Sequence, residues 1–174
     1  MQSQGYHPFD LEQEVGERPE ARQPAEHLAL HKKVTYAYPY APQYPSTGET
    51  ALTDGIRGGW TYGDKRWQGF LCKDADVTID LEKVTDIKLV EADFMQLRGP
   101  EIWLPKEVVI SVSEDGKQYQ ELKRIATEVP VTEEKLVIQK YRWEGTAKAR
   151  YVHFQGLLNR EVMGWMFVDE IVVK

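Results

Sequence analysis

Over the C-terminal two-thirds of the chain, apolar residues recur at every second position rather than every third or fourth. In DVTIDL (76–81), Val77, Ile79 and Leu81 alternate with Asp76, Thr78 and Asp80. That period predicts a strand with one face turned inward. DIKLVEADF (86–94), EVVISVS (107–113), EKLVIQKYRW (134–143), RYVHFQ (150–155) and WMFVDEIVV (165–173) repeat the theme, with turn signals between them. Asp115-Gly116 lies between VVISV and YQEL, and the pair suits the positive φ angles of a tight hairpin turn. No segment after residue 31 sustains a 3.6-residue apolar period. Seven or eight short strands without intervening helices predict an all-β, antiparallel sandwich.

The first 27 residues follow no such pattern. GERPEARQPAEH mixes Pro, Gly and Glu with few apolar side chains, too little to offset the entropy of ordering it. Residues 1–27 therefore read as a loosely ordered linker or tail, and 28–174 as one β-sandwich domain. Pro24 suits the start of a short helix that sets His27 and His31 one turn apart, but no acidic or Cys partner stands at a zinc-site spacing.

Charge and composition remove several classes of function. Net charge is −6, and residues 1–31 hold six acidic and two basic side chains, so 22 acidic and 20 basic residues remain for the body. A near-neutral body lacks the clustered basic excess that a nucleic-acid surface uses. No apolar run reaches the ~18 residues of a spanning helix, and MQSQGYHPFD is not a signal peptide, so no membrane insertion is expected and any export leader lies outside this chain. The single Cys72 excludes an internal disulfide and a cysteine-rich zinc site. Three of the four histidines lie in the first 31 residues, and no nucleophile elbow, P-loop or dinucleotide fingerprint occurs. No catalytic constellation can be assembled, and no catalytic residue is assigned.

Aromatic residues cluster instead near strand ends. Trp60, Tyr62 and Trp67 fall within TDGIRGGWTYGDKRWQGF (53–70), Trp103 in RGPEIWLP, Trp143 in YRWEG and Trp165 after LNREVMG. A sandwich stacks its loops at two ends, so tryptophans of different loops can converge on one rim, or each can plug the open end of the core.

The order of LALHKKVTYAYPY, ALTDG, RWQGF, DVTIDL, SVSEDGKQYQEL, ARYVHFQ and FVDEIVV resembles the discoidin or coagulation factor 5/8 type C family, which includes carbohydrate-binding modules of family 32. The resemblance spans about residues 28–174 and is nearest to the discoidin-like module at the C-terminal end of bacterial family 20 β-hexosaminidases. It implies a jelly-roll β-sandwich, often with structural calcium, whose apical loops bind glycans. Its calcium positions match Asp54 and Glu170 here; Ile56 replaces a common second Asp, and Asp64 is the candidate substitute. Trp67 matches an inward-facing Trp before the second strand. Trp60, Tyr62, Lys65, Arg66, Arg98, Trp103, Asn159 and Trp165 then form the candidate carbohydrate-binding rim, since aromatic platforms beside Arg, Asn and Lys donors suit a sugar's C–H faces and polar edges. The expectation is a non-catalytic carbohydrate-binding module, an accessory domain of an exported bacterial glycoside hydrolase, with a glycan as its partner and a catalytic domain upstream. The alternative is a spacer or protein-docking domain in which the same tryptophans close an interface or the core.

Overall fold

The computed structural model describes residues 8–9, 16–22 and 24–174. Their strands are β1 (Pro8–Phe9), β2 (Val34–Tyr36), β3 (Gln68–Leu71), β4 (Ala75–Gln96), β5 (Glu107–Ser113), β6 (Gln120–Ala126), β7 (Leu136–Leu157), β8 (Trp165–Val168) and β9 (Val172–Val173). Helical structure among the described residues is confined to three 3-10 turns of three residues each. All strand pairings are antiparallel, in the order β3-β8-β4-β7-β5-β6, with β1 on β7 and both β2 and β9 on β4. This is the jelly-roll β-sandwich.

Two strands belong to both layers. The first part of β4 pairs Ala75–Asp80 with Gly156–Tyr151 of β7, and its second part pairs Thr85–Gln96 with Ala149–Val137. The register shifts between Asp80 and Thr85 and again between Ile87 and Leu89, and Glu82 there has φ +75°. Irregularities of this kind bend a strand and increase its twist, which lets one strand leave one sheet and enter the next. β2 and β5 flank the first part, whereas β8 and β9 flank the second.

The alternation seen in the sequence sorts residues between faces. Val77, Ile79, Val90, Ala92 and Phe94 of β4 point into the main core with Val108, Ile110, Val152 and Phe154. Glu91, Asp93 and Met95 therefore face the other side of the second sheet. There Met95, Phe167, Trp67, Ile102 and Leu136 form a smaller apolar cluster, against which Tyr44, Trp60, Tyr62 and Trp165 pack. The Asp-Gly hairpin forms as its residues require: Gly116 has φ +78°, and Asp115 Oδ1 accepts from the N–H groups of Lys117 (2.8 Å) and Gln118 (3.0 Å).

Residues 16–22 and 24–27 do not behave as a loose tail. Arg18 is 4% exposed and inserts between the buried carboxylates of Asp93 and Asp169, while donating to the carbonyl of Gly58 at 2.9 Å. Ala25 N–H donates to the Gly55 carbonyl at 2.8 Å, and Leu28 N–H to that of Val173 at 2.7 Å. A composition poor in apolar residues says that a segment cannot bury enough oily surface; it does not count ion pairs formed with distant strands. The rest of the expected linker, residues 1–7, 10–15 and 23, lies outside the described residues.

Candidate functional site

The loop 53–67 is shaped by close backbone approach. A Cβ on Gly58 would lie 2.1 Å from the Trp67 ring, and Trp67 Nε1 donates to the carbonyl of Gly59 at 3.1 Å. Trp67 is thus a buried peg over which the loop folds. Asp64 turns back into the loop: its Oδ2 accepts from Gly59 N–H and its Oδ1 from Arg66 N–H, both at 2.9 Å. Gly58→Ala is expected to cost about 1–3 kcal/mol through overpacking, because a ring and a backbone would have to move. Urea unfolding of the variant checks this; an unchanged midpoint would show that the Trp67 contact is soft.

Three loops meet on this support. Tyr44 stands edge-on to Tyr62 (6.0 Å between centroids), Trp165 (5.0 Å) and Phe167 (4.9 Å), and Trp165 stacks on Phe167 at 5.7 Å. Trp60 packs on the same cluster and, like Tyr62 and Trp165, is half-buried. The loop 98–103 joins through Trp165 N–H, which donates to the Glu101 carbonyl at 2.9 Å, and through Trp103 N–H, which donates to the Trp165 carbonyl at 2.8 Å. Tyr44 was not among the sequence candidates; its only signal was the tyrosine-rich run YAYPYAPQYP.

The remaining candidates divide. Trp103 is 8% exposed beneath Gly164, where a Cβ would come within 3.0 Å of its ring, and its buried Nε1 has no hydrogen-bond partner. It lies under the rim rather than on it. Asn159 shapes its own turn, with Oδ1 accepting from Glu161 N–H at 3.1 Å and its carbonyl from Met163 N–H at 2.9 Å. Lys65 is exposed at φ +65°. Arg66 pairs with Glu17, and exposed Arg98 pairs with Glu134 at 3.2 Å.

A second constellation lies where the loop 53–56 meets the C-terminal strand. Glu170 Oε2 accepts from Gly55 N–H at 2.7 Å and lies 2.8 Å from His27 Nε2. His27 Nδ1 accepts from the N–H groups of Ala29 (3.2 Å) and Val173 (3.4 Å), so Nε2 bears the proton and donates to Glu170. Burial, with Arg57 and Lys174 nearby, lowers the His27 pKa to about 4, consistent with a neutral ring. Glu170 is pushed up to about 10, chiefly by burial, with Asp54 and Asp169 adding to the effect. Its Oε1 is buried without a partner.

Asp54 accepts from Thr47 Oγ1 at 2.5 Å and from Ile56 N–H at 2.9 Å. Asp54 and Glu170 are therefore neighbours, whereas Asp64 is occupied by its own loop. Among the described residues no three His, Cys, Asp or Glu side chains gather as a metal cage. Two close carboxylates, one of them with an orphaned buried oxygen, are donor chemistry of the kind that calcium takes.

The profile of the F5/8 type C domain family matches residues 33–171. The chain belongs to the F5/8 type C domain family. Among solved structures, this F5/8 type C domain is similar to chitosan-binding module 1 of a chitosanase/glucanase from Paenibacillus sp. IK-5, with TM-score 0.57 and 14% identity over 86% of this chain and 98% of that one. It also resembles CpGH89CBM32-4 of Clostridium perfringens in complex with glcNAc-alpha-1,4-galactose, with TM-score 0.55 and 13% identity over 86% of this chain and 94% of the other. The lectin domain of lectinolysin, complexed with Lewis B antigen, gives TM-score 0.57 and 18% identity over 87% and 98%. At these identities the likeness is one of fold. No curated protein matches the sequence. Arg18 and His27 precede the matched segment, so two side chains that close buried acidic sites of this F5/8 type C domain come from outside its family core.

Proposed function

We propose that this F5/8 type C domain is a non-catalytic carbohydrate-binding module, an accessory to an exported glycoside hydrolase of the β-hexosaminidase kind whose catalytic domain lies upstream. The observation that carries this reading is the convergence of half-buried Trp60, Tyr62 and Trp165 with Tyr44, flanked by Lys65 and Arg66, at the meeting of three loops. Such a rim offers aromatic faces for C–H surfaces and cationic donors for hydroxyls. Three proteins of like fold are a chitosan-binding module, a module in complex with glcNAc-alpha-1,4-galactose and a lectin domain complexed with Lewis B antigen, which supports the class without choosing the sugar. Among the described residues no helix is long and apolar enough to cross a membrane.

In the same reading, Asp54 and Glu170 hold a structural calcium, and Asp64 does not. The ion would neutralise two facing carboxylates and tie the loop 53–55 to the C-terminal strand.

A glycan array on the isolated chain, followed by titration calorimetry of the best hit, tests the function. Trp60→Ala and Trp165→Ala are each expected to weaken binding by about tenfold or more. Because both rings also pack on the Phe167 cluster, each change should lower the melting temperature, so binding is read where each variant is still folded. A single site of this kind should itself be weak, because a short sugar exchanges water hydrogen bonds for protein ones at small net gain. Undiminished binding in both folded variants would move the site elsewhere. Absence of binding across the array would favour the docking-domain reading, which the mutual packing of these rings also suits.

A further inference from the structure

A concave groove of about 560 Å³ lies between the edge strand β2 and the loop that follows it, and none of its lining residues belongs to the aromatic rim. Lys33, Tyr36, Pro39, Tyr40 and Glu49 line it. Its size falls within the range of small-molecule sites.

Its walls are held from behind. Gln68, fully buried, donates from Nε2 to the carbonyls of Pro45 (3.2 Å) and Gly48 (3.0 Å), and its Oε1 accepts from the Tyr36 hydroxyl at 2.9 Å. The Glu49 carbonyl stands 3.1 Å from that hydroxyl. The loop is braced on its other side by Thr47, whose hydroxyl donates to Asp54. Ser46 and Gly48 take positive φ, +53° and +97°, which fixes a tight reversal under the groove. Tyr36 and Tyr40 meet edge-to-face at 5.1 Å, so two ring planes form a corner. The Tyr40 hydroxyl lies 3.3 Å from Glu49 Oε1, and Lys33 supplies a cation of opposite sign.

We infer that this groove is a second carbohydrate subsite, separate from the rim, that takes a short uncharged oligosaccharide. An aromatic corner offers stacking surface to a pyranose, while one cation and one anion supply hydrogen bonds to its hydroxyl edge without selecting a net charge. Because the walls are pinned by buried partners, little ordering entropy is lost on binding. The inference rests on the carbohydrate-binding reading above. It adds that the module engages a chain at two places, so that weak sites combine on a multivalent surface.

Amide chemical-shift mapping of the whole chain with the trisaccharide of N-acetylglucosamine, and separately with lactose, reads the two surfaces independently. The expected result is saturable shifts in 33–40 and at Glu49 as well as in 60–66 and 159–165 with at least one of these sugars. Tyr40→Ala should weaken the groove event about tenfold and leave the rim event unchanged, and Trp165→Ala should do the converse. Glu49→Ala, at an exposed position, repeats the test should Tyr40→Ala fail to fold. Shifts confined to the rim, or groove shifts undiminished in folded Tyr40→Ala and Glu49→Ala, overturn the second subsite and spare the first. Shifts confined to β2 on adding an extended peptide, with none from sugar, reassign the groove to strand addition. Silence of both surfaces toward both sugars overturns the subsite together with the reading on which it rests.

Discussion

Arg18→Met should destabilise the domain by about 3–5 kcal/mol, the usual cost of removing one partner from a buried ion pair. For a chain of this size that corresponds to a fall in Tm on the order of 10 °C. The effect follows from what is left behind. Asp93 and Asp169 are 0% and 1% exposed, and Arg18 reaches both as well as the Gly58 carbonyl. A methionine of similar length restores packing without restoring charge.

The contribution of Asp93 to the pH dependence should change sign as well. Burial acts to raise the Asp93 pKa, but Arg18, Lys140 and Arg57 outweigh it and hold the carboxyl below its ordinary range. The unfolded chain then binds more protons near pH 4, so this contribution is present above that range and lost as pH falls. Without Arg18, burial dominates at Asp93. Asp169 already lies on that side, pushed up to about 6 by burial and by Asp93. The variant should therefore lose stability as pH rises from about 4 to neutrality. Urea midpoints at pH 5 and pH 7 check both claims. A variant as stable as the parent at both would show that the pocket admits water and that the ion pairs contribute little.

On the proposed Asp54–Glu170 site, calcium at a hundred times its Kd should raise stability by ~2.7 kcal/mol, the gain for a ligand that binds the native state alone. Glu170→Gln and Asp54→Asn should each abolish most of the gain, whereas Asp64→Asn should keep it. Differential scanning calorimetry with calcium against chelator, together with elemental analysis, decides the matter. Identical melting in both conditions, with no bound metal, would leave His27 and Gly55 as the whole of Glu170's compensation.

The strands were readable because period-2 alternation is local. Val77, Ile79 and Leu81 announce their face within six residues, and Asp115-Gly116 announces its turn within two. The sequence divides DVTIDL from DIKLVEADF, but both belong to β4, since the polar stretch around Glu82 is a bend within one strand. Arg18 was not readable. Its partners lie 75 and 151 residues away, and an isolated Arg in a Pro- and Glu-rich stretch carries the signature of solvent exposure. Asp93 and Asp169 were hidden for the same reason: a buried carboxylate is defined by a cation that arrives from elsewhere. At the rim, Trp60, Tyr62 and Trp165 could be grouped from their places at strand ends, but the loop adjoining Tyr44 gave no cue beyond its tyrosines. The depth of Trp103 depended on Gly164, whose missing side chain makes room for the ring.

The two 22-residue strands, β4 and β7, are hydrogen-bonded to one another in both layers. Neither layer can be peeled from the other as a unit, because to loosen one is to pull on the same pair of ribbons that frames its opposite. Denaturation should consequently proceed as a single all-or-none event, with amides at either end of β4 exchanging at a common slow rate. Tension applied along these ribbons would be shared by the rows of bonds running their length, so neither layer would give way before the other.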